Sequence, residues 1–338
     1  MSDRGKGILG LLILVLAFSV VSSAKETQAA FYYQGKTIKI IVGFTPGGGY
    51  DRMARLLAKH LPKHIPGSPS FVVENMEGAT SIIAANHLYN IAKPDGLTMA
   101  TVNRGLPFAQ LLKAGGVKFD LTKFSWVGSA AVEANVLTLR SDLPYKTFDE
   151  LRKRKEPTFL SSGGPGASSN QFPTLLKEFA GVQLNLVIYV SSNEEMLAVE
   201  RKEVDGRAGS YSSFKPYIDR GLVRPIARGR VHEPGIENLP VDEDLTTDKI
   251  GKTIMAMRSA GDLIGRPFIA PPGTPAEVMN ILRDGFARVS KDSEFLGECK
   301  KMGITVDYTP ANECMKSLAY LFSQPDTVVK ESGKYIKF

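Results

Sequence analysis

Two loops of small residues carry the groups best suited to binding an anion. The first contains Gly47, Gly48 and Gly49 and follows an apolar run at 38–44. The second, at 161–169, contains four serines and three glycines. Glycines leave backbone N–H groups uncovered, and a following helix start adds partial positive charge, so both loops suit an oxyanion. For the glycine loop, a tight turn with no ligand is the alternative.

The segments on either side of the glycine loop predict a strand followed by a helix. Residues 38–44 are short of helical length and rich in β-branched side chains, which is typical of a buried strand. From Tyr50 the pattern changes, because Met53, Leu57 and Leu61 recur four residues apart, as on the inner face of a helix. The glycine loop therefore lies where a strand passes into a helix, which is the ligand end of open α/β sheets.

The order of strand, short loop and helix recurs along the chain, which predicts parallel sheets in two α/β lobes. In the first lobe, a turn at 75–81 and Asn103 should join the glycine loop at one edge of the sheet. In the second lobe, a strand at 158–160 leads into the serine-rich loop and then into a helix at 170–179. Each lobe is thus expected to offer a loop of small residues at a helix start.

The late helices, which begin near Ala276, have no clear sheet of their own and are expected to cover the first lobe. That arrangement requires two crossings between the lobes, near 132–135 and 263–268. The predicted bounds are a signal peptide at 1–30, a first lobe at 31–133 and 265–338, and a second lobe at 134–264.

The first thirty residues have the pattern of a secretory signal peptide. Arg4 and Lys6 precede an apolar stretch of fourteen residues at 8–21, and small residues follow it. A membrane anchor is the alternative, but a helix needs about twenty residues to span a bilayer. Cleavage is predicted after Ala24 or near Ala30, with export to the periplasm.

Charge and cysteine content exclude some classes of function. The chain has 338 residues and a net charge of +7, with basic residues scattered along it. The one dense basic run, 152–155, lacks interleaved aromatic residues, which favours a solvated helix face over a nucleic-acid surface. Cys299 and Cys314 are the only cysteines. Export would allow a disulfide between them if the geometry permits. A catalytic thiol is not indicated, because the neighbouring sequence offers no base to pair with either cysteine.

Residues that could support catalysis or metal binding lack the required surroundings. The loop serines are not framed as Gly-x-Ser-x-Gly, the nucleophile elbow of hydrolases. His60 and His64 are four residues apart, but Pro62 breaks the helix that would align them on a metal. A dinucleotide-binding Gly-x-Gly-x-x-Gly motif is absent, because counting from Gly47 its last glycine position is occupied by Arg52. The sequence therefore predicts no enzyme, cofactor or metal, with a secreted hydrolase as the less favoured alternative.

Several segments resemble the solute-binding receptors of tripartite tricarboxylate transporters, the periplasmic Bug (TctC) family. They are IVGFTPGGGYDRMARLLAKHL, VVENMEGAT, AKPDGLTMATVN, SSGGPGASS, the strand ending in Tyr189, EVDGRAGS and APPGTPAEVMNIL. They occur in the family's order and cover nearly the whole chain after the signal segment. The resemblance implies a type II periplasmic-binding-protein fold, in which a ligand cleft lies between two α/β lobes, as in a Venus flytrap.

The resemblance also implies a function. Such receptors bind a small organic acid, a di- or tricarboxylate or an aromatic carboxylate, without transforming it, and deliver it to membrane permease subunits. We expect a monomer with no nucleic-acid partner. A receptor of the same fold that signals to a membrane kinase is the alternative. The ligand-binding positions carried over are Phe44, Thr45, Gly47, Gly48, Gly49, Tyr50, Asp51, Asn75, Gly78, Ala79, Thr80, Ser81, Asn103, Arg104, Ser161, Ser162, Gly163, Gly166, Ala167, Ser168, Ser169, Tyr189 and Asp205.

Three of these positions have two possible roles. Asp51 either accepts a hydrogen bond from a ligand hydroxyl or water, or caps the helix and offsets its dipole. Arg104 either pairs with a distal carboxylate or is solvated, and the solvated role is favoured. Tyr189 forms either the cleft wall or part of the core, and the family pattern favours the wall.

A few residues depart from the family's usual pattern. Thr80 and Ser81 stand where the family usually has glycines, Tyr50 replaces a usually small residue, and Glu77 stands where proline is common. Tyr50 and Glu77 could alter the shape of the pocket. The sequence therefore does not name the acid.

Overall fold

The computed structural model describes residues 32–338, so the predicted signal peptide lies outside the described residues. The described chain forms two lobes, each built on one mixed β-sheet that is covered by helices. Within this part of the chain, none of the helices has the length and apolar character needed to cross a membrane.

The strands are β1 (Thr37–Val42), β2 (Ser70–Asn75), β3 (Thr98–Thr101), β4 (Ser125–Ser129), β5 (Asn135–Arg140), β6 (Thr158–Ser162), β7 (Leu184–Ile188), β8 (Gly206–Ser210), β9 (Val223–Arg228), β10 (Pro267–Ala270) and β11 (Thr309–Pro310). The first sheet has the order β11-β4-β10-β3-β1-β2, and the second has the order β7-β6-β8-β5-β9.

The helices are α1 (Gly49–His60), α2 (Ile82–Asn90), α3 (Leu106–Leu111), α4 (Phe148–Arg152), α5 (Ser168–Phe179), α6 (Ser192–Glu200), α7 (Tyr211–Asp219), α8 (Lys249–Ile264), α9 (Ala276–Val289), α10 (Ser293–Lys301), α11 (Ala311–Phe322) and α12 (Asp326–Tyr335). Short 3-10 turns occupy Leu61–His64, Ala79–Ser81 and Asp242–Leu245.

Both sheets contain the predicted parallel strands, but each is mixed. β1 runs parallel to β2 and β3, and β6 runs parallel to β7 and β8. β10 runs antiparallel to β3 and β4, and β5 runs antiparallel to β8 and β9. The reason is topological. β5 and β10 each begin where the chain enters from the other lobe, so they start at the edge where the parallel strands end.

The helical pattern after the glycine loop is confirmed. Met53, Leu57 and Leu61 are buried, with at most 1% of each side chain exposed. They pack with β1 in a core that α9 and α10 also cover. The second lobe has a separate core, in which α5 and α8 pack on the second sheet. These cores make each lobe a rigid support for the loops at its sheet edge.

The chain passes between the sheets at 130–134 and again at 265–266, and the two crossings are hydrogen-bonded to each other. The N–H of Arg266 donates to the carbonyl of Ala131 at 3.0 Å, and the N–H of Glu133 donates to the carbonyl of Asp262 at 3.1 Å. The last helix, α12, lies against α5 and α8 of the second lobe. The domain bounds drawn from the sequence stay a prediction.

Local details of the sequence interpretation hold in part. The pattern Thr147-x-x-Glu150 predicts a capping box, which the structure contains. The pattern Ser192-x-x-Glu195 predicts another, but the cap of α6 is Ser191, whose hydroxyl accepts from the N–H of Glu194. The two cysteines are buried free thiols, so they form no disulfide. The sequence patterns did not predict α3, α7, α8 or α12.

Candidate ligand-binding cleft

A cleft of about 760 Å³ lies between the lobes, at the edge where the parallel strands end. The glycine loop and the serine-rich loop both open onto it, from opposite sides. The predicted positions that line it are Phe44, Thr45, Gly47, Gly48, Gly49, Tyr50, Gly78, Ala79, Thr80, Asn103, Arg104, Gly163, Ala167, Ser168 and Ser169. The two loops therefore share one cavity, as a ligand held by both lobes requires.

Within the described chain, four helices, α1, α5, α6 and α7, begin at this cleft, and Ser191 caps α6. The N-cap residues of the other three, Gly48, Ala167 and Ser210, line the cleft and make no side-chain cap hydrogen bond. The first N–H groups of a helix have no intrahelical partner, and the helix dipole makes that end partially positive. The uncapped ends therefore present donors and positive potential to an anion in the cleft.

The glycine loop is held in place by Asp51 and Asn75. The Asp51 carboxylate is 2% exposed. It accepts from the Gly47 N–H at 2.8 Å, from Asn75 Nδ2 at 3.0 Å and from Arg55 Nε at 3.0 Å. Burial opposes ionisation, but these hydrogen bonds outweigh it and hold the pKa of Asp51 below its usual range. Neither Asp51 nor Asn75 lines the cleft, so the geometry supports the capping role of Asp51.

The Asn75 amide also reaches the start of the glycine loop, since its Nδ2 donates to the carbonyl of Phe44 at 2.8 Å. Tyr50 stacks on Phe44 with ring centroids 4.4 Å apart. The Tyr50 hydroxyl accepts from the N–H of Arg104 at 3.2 Å and donates to the carbonyl of Gly265 at 3.4 Å. Tyr50, one of the departures from the family pattern, thus ties the loop to the crossing between the lobes.

The loop after β2 has an unusual backbone. All four residues at 78–81 have a positive φ, between 43° and 127°. Three of the four are not glycine, and such residues cost on the order of 1–3 kcal/mol each. The Ser81 hydroxyl donates to the Gly43 carbonyl at 2.9 Å, and Thr80 Oγ1 donates to the Pro165 carbonyl of the other lobe at 3.2 Å. Ser81 occupies the N-cap position of α2, but its hydroxyl does not cap the helix.

The second contact between the lobes joins Asn103 and Gly166. Asn103 Nδ2 donates to the Gly166 carbonyl at 3.3 Å, while its Oδ1 accepts from the Gly105 N–H at 2.7 Å. A side chain at Gly166 would meet the Phe338 ring at 2.8 Å. The lobes therefore touch directly beside the cleft.

Five arginines of the described chain line the cleft, and only Arg104 among them was predicted as a ligand contact. They are Arg52, Arg104, Arg207, Arg220 and Arg266. The favoured solvated role of Arg104 is wrong, because the side chain is only 6% exposed. Its Nε pairs with Asp262 at 2.9 Å and its Nη1 donates to Ser210 Oγ at 3.0 Å. Folding of the two crossings around this side chain removes it from water.

The arginines differ in how their charge is compensated. Arg266 Nε pairs with Glu133 at 2.7 Å, and Arg207 Nε pairs with Glu195 at 2.7 Å, in both cases between buried groups. Arg52 has no ion pair within residues 32–338. Its pKa is lowered, first by burial and next by the charge of Arg266. Arg52 therefore has no directly paired carboxylate, although Glu133, the partner of Arg266, also acts on its charge, and Glu77 is a second glutamate in the cleft lining beside Glu195.

Several predicted site residues do not line the cleft. Ser161 and Ser162 are the buried last residues of β6. The Ser161 hydroxyl donates to the Glu195 carbonyl at 3.0 Å, and the Ser162 hydroxyl accepts from the Gly164 N–H at 3.2 Å. These hydroxyls shape the serine-rich loop from beneath. Ser81 and Gly166 likewise adjoin the cleft without lining it.

Tyr189 and Asp205 are also away from the cleft. Tyr189 packs against a hydrophobic cluster of the second lobe and donates to Glu203 at 3.4 Å. Asp205 accepts from the Phe159 N–H at 2.9 Å. Asp205 comes just before β8, whereas ligand loops follow the parallel strands, so it lies at the opposite edge of the sheet. Direct ligand contact from either side chain is not supported.

The sequence interpretation missed most of the contribution from α7 and from the arginines. The end of β8 supplies Gly209 and Ser210 to the cleft, and the first turn of α7 supplies Ser213. This third run of small residues after a strand could have been recognised from its composition. Arg52 lies in the first turn of α1, beside the glycine loop, and was also recognisable. Arg266 carries no local signal, because only the second crossing brings it to the cleft.

Comparisons with known proteins agree with this architecture. A family model described as "Tripartite tricarboxylate transporter family receptor" (TctC) matches residues 53–334. The protein from Cupriavidus necator called "UPF0065 protein in gbd 5'region" is 26% identical over 331 residues, covering 96% of this chain and 94% of the relative. BugT of Bordetella pertussis is 22% identical over 339 residues, covering 97% of this chain and 98% of the relative.

Solved structures confirm the predicted two-lobe periplasmic-binding fold. The periplasmic binding protein BugD has a TM-score of 0.71 at 23% identity, covering 90% of this chain and 100% of BugD. A Rhodopseudomonas palustris protein with adipate has a TM-score of 0.69 at 22% identity, covering 88% of this chain and 98% of that protein. MatC from the same species, with bound malate, has a TM-score of 0.66 at 20% identity, covering 90% of this chain and 99% of MatC. With its family model matched over most of its length, the chain belongs to the tripartite tricarboxylate transporter receptors, the TctC family.

Proposed function

We propose that this protein captures a small organic acid in the periplasm and delivers it, chemically unchanged, to the permease subunits of a tripartite tricarboxylate transporter. The observation that carries the proposal is the convergence of three uncapped helix N-termini on a cleft whose described lining includes five arginines and two glutamates. Structurally similar proteins hold adipate and malate, which supports a carboxylate as the ligand.

The available donors are sufficient for useful affinity. A hydrogen bond to a charged group contributes roughly 1.5–3 kcal/mol. Three or four of them reach the roughly −8 kcal/mol of micromolar binding before association costs are subtracted. Gly48 and Gly49 matter here, because a carboxylate oxygen can approach their backbone N–H groups closely, whereas the Gly47 N–H already donates to Asp51.

Binding without chemical change is supported by how the cleft hydroxyls are used. Ser169 Oγ accepts from the Gly163 N–H at 2.9 Å, and Ser210 Oγ accepts from Arg104 at 3.0 Å. Within the described residues, no histidine lines the cleft. These hydroxyls therefore hold loops and arginines in place and have no imidazole base beside them.

The test is a thermal-shift screen of protein stripped of carried-over ligand, against mono-, di- and tricarboxylates, aromatic acids, amino acids and sugars. A bound acid at one hundred times its Kd should raise the free energy of unfolding by about 2.7 kcal/mol. Stabilisation by sugars alone, or by none of the compounds, would contradict the proposal.

Substitutions of Gly48 test whether the acid binds in the cleft, at the glycine loop. An added Cβ at Gly48 meets Ser192 Oγ at 3.5 Å, an ordinary contact, so Gly48→Ala should fold and bind. Gly48→Leu should fold but lose binding, because its side chain fills the space between the lobes. Gly297→Leu is the control, since nothing lies within 4 Å of an added Cβ there. Undiminished affinity of Gly48→Leu would remove the glycine loop from the site.

A further inference from the structure

His60, the last residue of α1, is buried and has a ring nitrogen without a hydrogen-bond partner. The residue is 4% exposed, and its ring packs against Phe295 with 5.8 Å between the ring centroids. Its Nε2 lies 3.3 Å from Glu298 Oε2, but the contact lacks the geometry of a hydrogen bond. A buried polar atom without a partner is uncommon. An imidazole nitrogen held in this way is available as a metal ligand.

Two carboxylates at the start of α10 lie beside the same ring. A ring nitrogen of His60 and one oxygen each from Asp292 and Glu294 all lie within 4.8 Å of one another. Bonds from Zn²⁺ to nitrogen or oxygen are about 2.0–2.2 Å long, so ligand atoms on one zinc ion lie roughly 3–3.5 Å apart. The Glu294 side chain is 74% exposed, so it can rotate to close the remaining distance. Imidazole and carboxylate together are ligands that zinc accepts in proteins.

Lys63 shows that this place already attracts a cation. Its Nζ lies 2.9 Å from Asp292 Oδ2 and 2.7 Å from Glu294 Oε2. The Lys63 side chain is 42% exposed on a flexible stem, so its ammonium group can move into water when a metal takes its place. His64 Nε2 donates to the same Asp292 oxygen at 2.9 Å, and backbone N–H groups of α10 bind the other oxygen. Hydrogen bonds of this kind orient metal-binding carboxylates.

The charges around His60 also favour a metal cation. The carboxylates of Asp292, Glu294 and Glu298 face the ammonium groups of Lys59 and Lys63. The ammonium group of Lys59 pairs with Glu298 at 2.6 Å and stays with that partner. Displacement of Lys63 therefore leaves two carboxylates whose charge a divalent ion can balance.

We propose that His60, Asp292 and Glu294 form a zinc site on the first lobe, with Lys63 as an internal counter-ion that the metal displaces. These three residues are not part of the described cleft lining, so the site is independent of the proposed function. The metal joins the end of α1 to the start of α10. Because α1 begins at the glycine loop, zinc stabilises the helix that supports this loop. The carboxylates lie far along the chain from His60, so no local motif indicates the site.

Equilibrium dialysis of the chelator-treated protein against ZnCl₂ tests the site. One zinc ion should bind per chain and raise the unfolding temperature. Mg²⁺ at the same concentration should not, because it prefers oxygen ligands and gives up its water reluctantly. Glu294→Gln should bind zinc about 10- to 100-fold more weakly, and so should His60→Gln. Lys63→Gln should bind zinc about two- to fivefold more tightly, because the competing ammonium group is gone.

Two variants control for charge and for other histidines. Glu277→Gln removes an exposed glutamate from the first turn of α9, as Glu294→Gln does from α10, and should leave zinc affinity unchanged. His232→Gln removes an exposed histidine and should also bind zinc as the wild type does. Without zinc, Glu294→Gln should unfold at the wild-type temperature, which separates loss of a ligand from loss of folding.

Three results would overturn the zinc site. The first is a wild-type protein that binds no zinc. The second is a zinc affinity that Glu294→Gln leaves unchanged, or one that His232→Gln abolishes, since either places the ion elsewhere on the surface. The third is weaker zinc binding by Lys63→Gln, which would show that Lys63 does not compete with the metal.

Discussion

Replacing Asp51 with asparagine should weaken the glycine loop without adding bulk. The carboxylate accepts from Gly47, Asn75 and Arg55. An amide offers one oxygen and turns an NH₂ group toward the remaining donors, so at least one hydrogen bond to a charged group is lost. Losing the hydrogen bond from the Gly47 N–H should lower the free energy of unfolding by about 1.5–3 kcal/mol. The Arg55 side chain is 52% exposed, so solvent screening limits its share to less than about 1 kcal/mol.

The expected fall in the free energy of unfolding at pH 7 is therefore about 2–3 kcal/mol. Urea unfolding, followed by the fluorescence of Trp126, the single tryptophan, measures it. Because the pKa of Asp51 is lowered in the folded state, its contribution is complete above the unfolded pKa of about 4. It is lost as the pH falls through the folded pKa, so the wild type and the variant should converge in acid.

Asp284→Asn is the matched control, because that carboxylate is exposed on α9. We also expect Asp51→Asn to weaken organic-acid binding about tenfold, since the loop must be ordered when the ligand binds. An Asp51→Asn protein as stable as the Asp284→Asn protein would refute the supporting role of Asp51. Lower stability with unchanged affinity would show that the glycine loop does not bind the ligand.

Three other predictions follow from groups around the cleft and the cores. Gly265→Ala should destabilise the protein by more than about 3 kcal/mol in thermal unfolding, because its Cβ would lie 1.7 Å from the Ala131 carbonyl at φ +62°; an equally stable variant would contradict this. Burial first, and a neighbouring carboxylate next, raise the pKa of Glu233 to about 7, so wild-type stability should fall as the pH rises from about 4.3 to 7. Glu233→Gln should match the wild type near pH 4 and exceed it at pH 8 by about 3–4 kcal/mol in urea unfolding, and no difference at pH 8 would disprove the assignment. Burial raises the thiol pKa of Cys299 and Cys314 to about 12, so a colorimetric thiol reagent at pH 8 should label neither in the native protein and both after unfolding.

The parts of the fold that the sequence predicts are those with a local signal. The 38–44 run, the periodic face of α1 and the Thr147 capping box each depend on neighbouring residues, and each appears at nearly its predicted place. By contrast, α7 and α8 carry their apolar residues among serines, glycines and charged side chains. Pro216 lies inside α7, and contacts with distant elements stabilise both helices.

The candidate site divides in the same way. Loops that follow parallel strands were recognisable, because their glycines and serines are adjacent in the chain. Asp205 was misplaced relative to the cleft, since family position says nothing about which edge of the sheet a residue occupies. Arg266 and its partner Glu133 are far apart in sequence and meet only where the chain crosses between the lobes. A charged pair of that kind cannot be read from local composition.

A crystal structure with a bound organic acid tests the central claim most directly. We expect one carboxylate of the acid to lie within about 3 Å of backbone N–H groups at the start of α1 and to contact the start of α5 from the other lobe. An acid bound outside the cleft, or one held by a single lobe with the glycine loop unoccupied, would contradict the account.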